Sequence, residues 1–195
     1  QGSELKFQLW TFSLPVVVIV HGNQEPQALA TVVWDNGFAE WGRRPFYVPD
    51  KVTWGQAGHA LNMKWTAACG SPLTEDNLYN LACKAFRDNN IPKIPEEYNN
   101  LMLTWSLFCK ETLPDRTFTF WEWFYRILLL TSHHMGRLWK EGYIMGFIMK
   151  QAAENMLLQQ QNGCFLLRFS DSELGGVTIA YVRKPDFRKY ICNVC

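Results

Sequence analysis

One arginine in an apolar setting carries the strongest chemical signal in the chain. Arg168 lies in Gly163-Cys164-Phe165-Leu166-Leu167-Arg168-Phe169-Ser170-Asp171-Ser172, which reads as a short apolar strand and a polar turn. Side chains alternate along a strand, so Leu166, Arg168 and Ser170 share one face and Phe165, Leu167 and Phe169 the other. Both faces carry large apolar groups, so both are expected to be covered. A guanidinium placed there is costly unless an anion meets it. It does not shed its proton, and its planar fork suits two oxygens of a carboxylate or a phosphate. Ser170, Asp171 and Ser172 follow, then Gly175-Gly176, and the hydroxyls and N–H groups of such a turn are further donors for an anion. The competing reading is an internal ion pair from Arg168 to Asp171 or Glu173, and the residues alone leave both open.

Other candidates are weaker. Lys150 falls in the first turn of a predicted helix over 149–160 with Met149, Ala153, Met156 and Leu157 on its core side. A cation there is opposed by the helix dipole, which an anion bound at the helix end would offset. A pair with Glu154 is the plainer account. His21 sits in the polar turn His21-Gly22-Asn23-Gln24-Glu25-Pro26 and reads first as an ordinary exposed histidine. His133 and His134 are adjacent, so they point about 100° apart on a helix and do not chelate one metal as an i, i+4 pair would. Cys192 and Cys195 have zinc-like spacing but no second pair, so a zinc hydrolase using these histidines and cysteines is disfavoured. No acid–base carboxylate pair, Walker loop or nucleophile elbow is found, so no enzyme activity, cofactor or metal is expected.

The elements that must position these residues change character along the chain. Residues 5–12 alternate as a half-buried strand, Val16-Val17-Val18-Ile19-Val20 is a β-branched strand, and residues 28–35 are predicted as a further strand, with His21 in the turn between. From Thr53 the period is helical. Thr53 caps a helix carrying Trp54, Ala57, Leu61 and Trp65, and Thr74 caps another carrying Leu78, Leu81, Ala82, Ala85 and Phe86. Residues 104–109 form a short helix. Thr119-Phe120-Trp121-Glu122 is a capping box opening the longest one, which buries Trp121, Phe124, Ile127, Leu128 and Thr131, with interruption at Gly136 and an end at Gly142. Residues 177–182 alternate as a strand, and its far edge is expected to be unpaired.

The 195 residues are 48% hydrophobic with 19 basic and 18 acidic side chains, so the chain is globular and not a strong nonspecific nucleic-acid binder. No segment has the length or apolarity of a membrane span, and the six scattered cysteines fit reduced thiols of the cytosol or nucleus.

Phe165-Leu166-Leu167-Arg168-Phe169-Ser170 resembles the phosphotyrosine-binding strand of Src-homology-2 (SH2) domains. Phe169 stands where most SH2 domains carry Glu, as in the STAT family (signal transducers and activators of transcription). The run from Gly163 to Tyr181, with Leu174-Gly175-Gly176-Val177-Thr178-Ile179-Ala180, resembles STAT proteins, insect ones above all. Ser13-Leu14-Pro15-Val16-Val17-Val18-Ile19 is similar to the last strands of the STAT DNA-binding domain, and Phe108-Cys109-Lys110-Glu111 and Phe118-Thr119-Phe120-Trp121-Glu122-Trp123 to the STAT linker. The resemblance implies an α+β multidomain fragment. Its parts are the end of an antiparallel β DNA-binding domain over 1–48, an all-helical linker domain over 49–141, and the N-terminal part of an SH2 domain over 142–195, with an atypical tail from 183. It implies phosphotyrosine binding by Arg168, Lys150, Ser170 and Ser172, with Asp171 where other members often have Glu, and a DNA contact at His21. It implies a latent cytoplasmic transcription factor, nuclear on activation. A receptor-associated tyrosine kinase phosphorylates it, phosphotyrosine peptides of receptors and of a second STAT chain bind the SH2 domain, and the dimer binds DNA. An SH2 adaptor without a DNA-binding role is the alternative; the Leu14 to Ile19 run argues against it.

Overall fold

The computed structural model of the protein describes residues 6–9, 13, 16–40, 47–183 and 190–194. After a 3-10 turn, Gly22–Gln24, the chain enters α1 (Glu25–Phe38). The strand expected over 28–35 is therefore a helix. Thr31, Val32 and Val33 favour extended backbone, but Pro26 opens a helix well, and Ala30, Trp34 and Phe38 recur every fourth residue as a buried stripe. That stripe packs on tryptophan and phenylalanine rings, with Trp34 meeting Trp105 at 5.3 Å and Phe108 at 5.1 Å between centroids. Tertiary burial outweighs the propensity of three β-branched residues. Residues 16–19 lie outside any ladder among the described residues, and their valines are exposed. Of the strand expected over 5–12, residues 6–9 have no regular structure and 5 and 10–12 lie outside the described residues.

The helical stretch follows its caps. β1 (Lys51–Thr53) leads into α2 (Trp54–Cys69), then α3 (Glu75–Phe86), α4 (Pro95–Tyr98), β2 (Met102–Thr104), α5 (Trp105–Cys109) and α6 (Phe120–Leu130). Thr53, Thr74, Thr104 and Thr119 each accept a bond from the backbone N–H three residues on. Glu122 returns a bond to the Thr119 N–H at 2.8 Å, completing the capping box. β1 and β2 pair antiparallel and hold the starts of α2 and α5 side by side. A π-helical turn, Thr131–Met135, separates α6 from α7 (Gly136–Lys140).

β3 (Ile144–Gly146), α8 (Lys150–Leu158), β4 (Phe165–Phe169), β5 (Val177–Arg183) and β6 (Tyr190–Val194) complete the fold. The sheet order is β3-β4-β5-β6, with β3 parallel to β4 and the other pairs antiparallel. The far edge of β5, expected to be open, is paired with β6 from Ile179↔Val194 to Arg183↔Tyr190.

The two parts share a core. Trp65 of α2, fully buried, has ring centroids of Phe124, Trp139, Phe147 and Phe169 at 5.8, 5.1, 5.3 and 5.7 Å. Leu166 lies with the smaller cluster of Leu157, Ala180 and Val182, while Leu167 and Phe169 join the large helical core. Both faces of β4 are thus covered toward its Arg168 end, whereas Phe165 at its start is exposed.

Candidate functional site

Arg168 stands near the C-terminal end of β4, where it pairs with Thr178 of β5 and Gly146 of β3. Its strand has a neighbour on each side, and its residue surface is 5% exposed. Nη1 donates to Asp171 Oδ2 at 2.8 Å and to the Phe169 carbonyl at 3.3 Å. Nε is buried without a partner among the described residues. The ion pair to Asp171 named as the competing reading is therefore present, yet it leaves part of the fork unused. A buried N–H with no acceptor costs about 1–3 kcal/mol, which an arriving anion recovers.

The loop after β4 is tight and self-bonded. Ser170 Oγ accepts from the N–H groups of Ser172 and Glu173, both at 3.3 Å, and lies 3.4 Å from Ser172 Oγ. Ser170 N–H donates to the Gly176 carbonyl at 2.9 Å. A Cβ on Gly176 would stand 2.9 Å from Glu173 Cβ and 3.1 Å from Ser170 Cβ, so the loop closes this far only because residue 176 is glycine. Ser170 is buried, whereas Asp171 and Ser172 reach the surface.

Lys150 is the first residue of α8, as its spacing predicts, and its Nζ lies 3.8 Å from Glu154. It lines a cavity of about 330 Å³ together with Asn80, Lys84, Trp123, Phe147 and Asp171. Lys150 and Asp171 are thus brought together at one cavity, with Arg168 bonded to Asp171 behind it.

Two residues of this site come from the helical stretch and carry no local signal. Lys84 of α3 donates to the Asp171 carbonyl at 3.0 Å and stands 5.0 Å from the centre of a Trp123 ring. Burial pushes its pKa down, Asp171 pushes it back up, and Arg116 and Arg168 push it down again. Trp123 of α6 donates from Nε1 to the Ser170 carbonyl at 2.8 Å. A third, Asn77 of α3, is buried; its Oδ1 accepts from Phe147 N–H at 2.8 Å and its Nδ2 donates to the Met145 carbonyl at 3.3 Å.

His21 is far from this region in kind as well as in sequence. It is exposed and precedes the 3-10 turn and α1, so it does not lie between two strands as expected. The His133 and His134 rings stand 6.1 Å apart at 86° on the π-helical turn. Cys195 lies outside the described residues. In the Lys110-Glu111 run, Glu111 takes Arg87 at 2.8 Å. No described helix is long and apolar enough to cross a membrane.

Comparison with known proteins matches this arrangement part by part. The linker-domain model of signal transducers and activators of transcription matches residues 41–124. The SH2 domain model matches residues 143–194, through β6 and past residue 183, where the resemblance read from the sequence stops. The "Signal transducer and transcription activator" of Drosophila melanogaster is 53% identical over 184 residues, or 93% of this chain. The chain spans 23% of that relative's length.

Proposed function

Since the chain belongs to the STAT family, with a STAT linker followed by an SH2 domain, we propose that it reads phosphotyrosine as part of a signal transducer and activator of transcription. Arg168 is the main phosphate ligand. Lys150 adds a second positive charge from α8, Ser170 and Ser172 supply hydroxyls, and Asp171 shapes the loop. The observation that carries this reading is the Arg168 guanidinium, buried on β4 with Nε unpartnered beside a serine- and glycine-rich loop. The whole protein is latent in the cytoplasm until a receptor-associated tyrosine kinase phosphorylates it. It then pairs with a second copy by exchange of phosphotyrosine segments and binds DNA in the nucleus as a transcription factor. Residues 1–48 belong with the DNA-binding domain, 49–141 with the linker and 142–195 with the SH2 domain. It is not an enzyme. His21, exposed ahead of α1, is the DNA contact of this chain.

Calorimetric titration with a tyrosine-phosphorylated peptide and its unphosphorylated twin tests the reading. Arg168→Lys loses the paired, charge-assisted contact, worth about 1.5–3 kcal/mol, and weakens phosphopeptide binding about 10–100-fold with the fold intact. Lys150→Ala costs less, because its ammonium is exposed and screened. An Arg168→Lys variant that unfolds, with no selective loss of phosphopeptide affinity, favours the structural ion pair with Asp171. For His21, alanine in the whole protein shifts preference among DNA sites by about 1–3 kcal/mol while leaving the salt slope alone. An unchanged preference across a panel of sites removes His21 from the readout.

A further inference from the structure

The loop after Arg168 is held from outside its own domain. Ser170 and Asp171 offer their carbonyls to Trp123 and Lys84, both from the linker helices. The Asp171 carboxylate also spans two cations. Oδ2 lies 2.8 Å from Arg168 Nη1, and Oδ1 lies 4.0 Å from Lys84 Nζ. Asp171 engages the guanidinium at a single nitrogen, the same one that reaches the Phe169 carbonyl, while buried Nε has no partner among the described residues. A carboxylate held at one nitrogen falls short of the paired geometry that an arginine fork offers a phosphate.

Resting on the reading of Arg168 as a phosphotyrosine ligand, we propose that Asp171 is a stand-in for the phosphate. Its carboxylate holds the Arg168 guanidinium until a phosphate displaces it, and it then passes to Lys84, which makes Lys84 a linker-borne positioning residue of the phosphotyrosine site. Two anions on one guanidinium repel each other, so the displaced carboxylate needs a countercharge close by. Lys84 is already in place, fixed over the Trp123 ring and on the Asp171 main chain. The exchange therefore needs a side-chain rotation of Asp171 that closes the 4.0 Å gap, and no movement of the loop backbone. Burial disfavours the Lys84 ammonium and Asp171 favours it, in keeping with a lysine that depends on this one carboxylate. Lys150 stays with the phosphate, because it has its own partner in Glu154 and makes no bond to Asp171 among those of the described residues.

The test is a double-mutant cycle read by titration of the purified protein with N-acetyl-phosphotyrosine amide, with folding checked by circular dichroism. An affinity reduced by occupation of the binding group recovers when the occupant is removed, so D171N binds about threefold tighter or more. K84M weakens binding by about fivefold or more in the natural background and by less than about twofold in D171N, where no carboxylate needs a host. K84Q follows the same pattern and serves if K84M fails to fold. A D171N that binds no tighter, or a Lys84 penalty equal in both backgrounds, overturns the stand-in while leaving phosphotyrosine binding itself intact. A folded wild type that does not bind the probe overturns the phosphotyrosine reading, and the exchange falls with it.

Discussion

Asn77→Leu removes the polar clamp between α3 and the strand that begins the SH2 sheet. Asn77 is 4% exposed. Its Oδ1 is the acceptor for the N–H of Phe147, itself a buried residue at the centre of the ring cluster. Its Nδ2 donates to the Met145 carbonyl and to Thr74 Oγ1. Leucine keeps the branching and heavy-atom count of asparagine, so it leaves no cavity; its two methyls are bulkier than the amide, so overpacking adds to the loss of hydrogen bonding. The Phe147 N–H is left buried and unpaired, at about 1–3 kcal/mol, and the Met145 bond is lost at about 0.5–1.5 kcal/mol. The cap of α3 survives, because Thr74 Oγ1 bonds the main-chain N–H of residue 77. The sum is a loss of about 2–4 kcal/mol, a large share of a typical domain's 5–15. Urea unfolding followed by tryptophan fluorescence and far-ultraviolet dichroism measures it. Both probes are expected to move together to a lower midpoint, because Trp65, Trp139, Phe147 and Phe169 form one cluster across the junction. Asn80→Ala is the control. Among the described residues its amide bonds only the Asp76 carbonyl of its own helix, so it changes stability by less than about 0.5 kcal/mol. An Asn77→Leu protein no less stable than Asn80→Ala refutes the reasoning.

Gly146→Ala strikes the same junction from the other side. Residue 146 has φ +82°, and an added Cβ would meet Asn77 Oδ1 and the Trp139 ring, so left-handed strain and overpacking together cost about 2–4 kcal/mol; a melting point within a degree or so of wild type contradicts this. The thiols divide by burial. Desolvation pushes Cys109 up to about 12 and Cys69 up to about 11, and raises Cys83 as well, so each is a scarce thiolate until the pH rises well above neutral. Among the described cysteines, half-buried Cys164 and Cys192 are therefore alkylated first at mildly alkaline pH, with Cys69 and Cys109 labelled only on unfolding; mass spectrometry reads the order, and early labelling of Cys109 contradicts it.

The helix starts at Thr53, Thr74 and Thr119 were legible because a cap is a local device. Each threonine acts on an N–H three residues away, and the sequence prints both ends of that bond. Residues 28–35 misled because Thr31-Val32-Val33 speaks for extended backbone over a few residues, while the deciding stripe of Ala30, Trp34 and Phe38 needs a longer window and a partner surface. β1 and β2 are three residues each, too short for alternation to register, and exist by pairing across half of the linker. Arg168 and its loop could be read because a cation within an apolar strand is anomalous in itself. Lys84 could not: it meets Asp171 across 87 residues, and on its own helix it looks like any lysine in a last turn. Trp123 had no signal beyond core packing, although its indole N–H reaches the loop across 47 residues.

The way β4 is covered bears on how the helical linker and the Arg168 strand depend on each other. On the α8 side the sheet has a small cluster of Leu157, Ala180 and Val182. On the other side Phe169, 1% exposed, enters the helical core, with Phe147 at 4.8 Å and Trp65 at 5.7 Å between centroids. Burying one such side chain contributes about 1.5–3 kcal/mol, so the residue beside Arg168 is anchored by the linker rather than by the sheet's own core. The next two residues give their carbonyls to Trp123 and Lys84. Residues 169, 170 and 171 thus each contact the linker, and the loop cannot shift without disturbing α2, α3 and α6. Coupling of this kind is reciprocal: if the linker holds the loop in the shape that binds phosphate, phosphate binding must stabilise the linker by the same free energy. An adaptor whose SH2 sheet covers both its own faces has no need of such contacts. Here they tie the Arg168 loop to the packing of the helical linker.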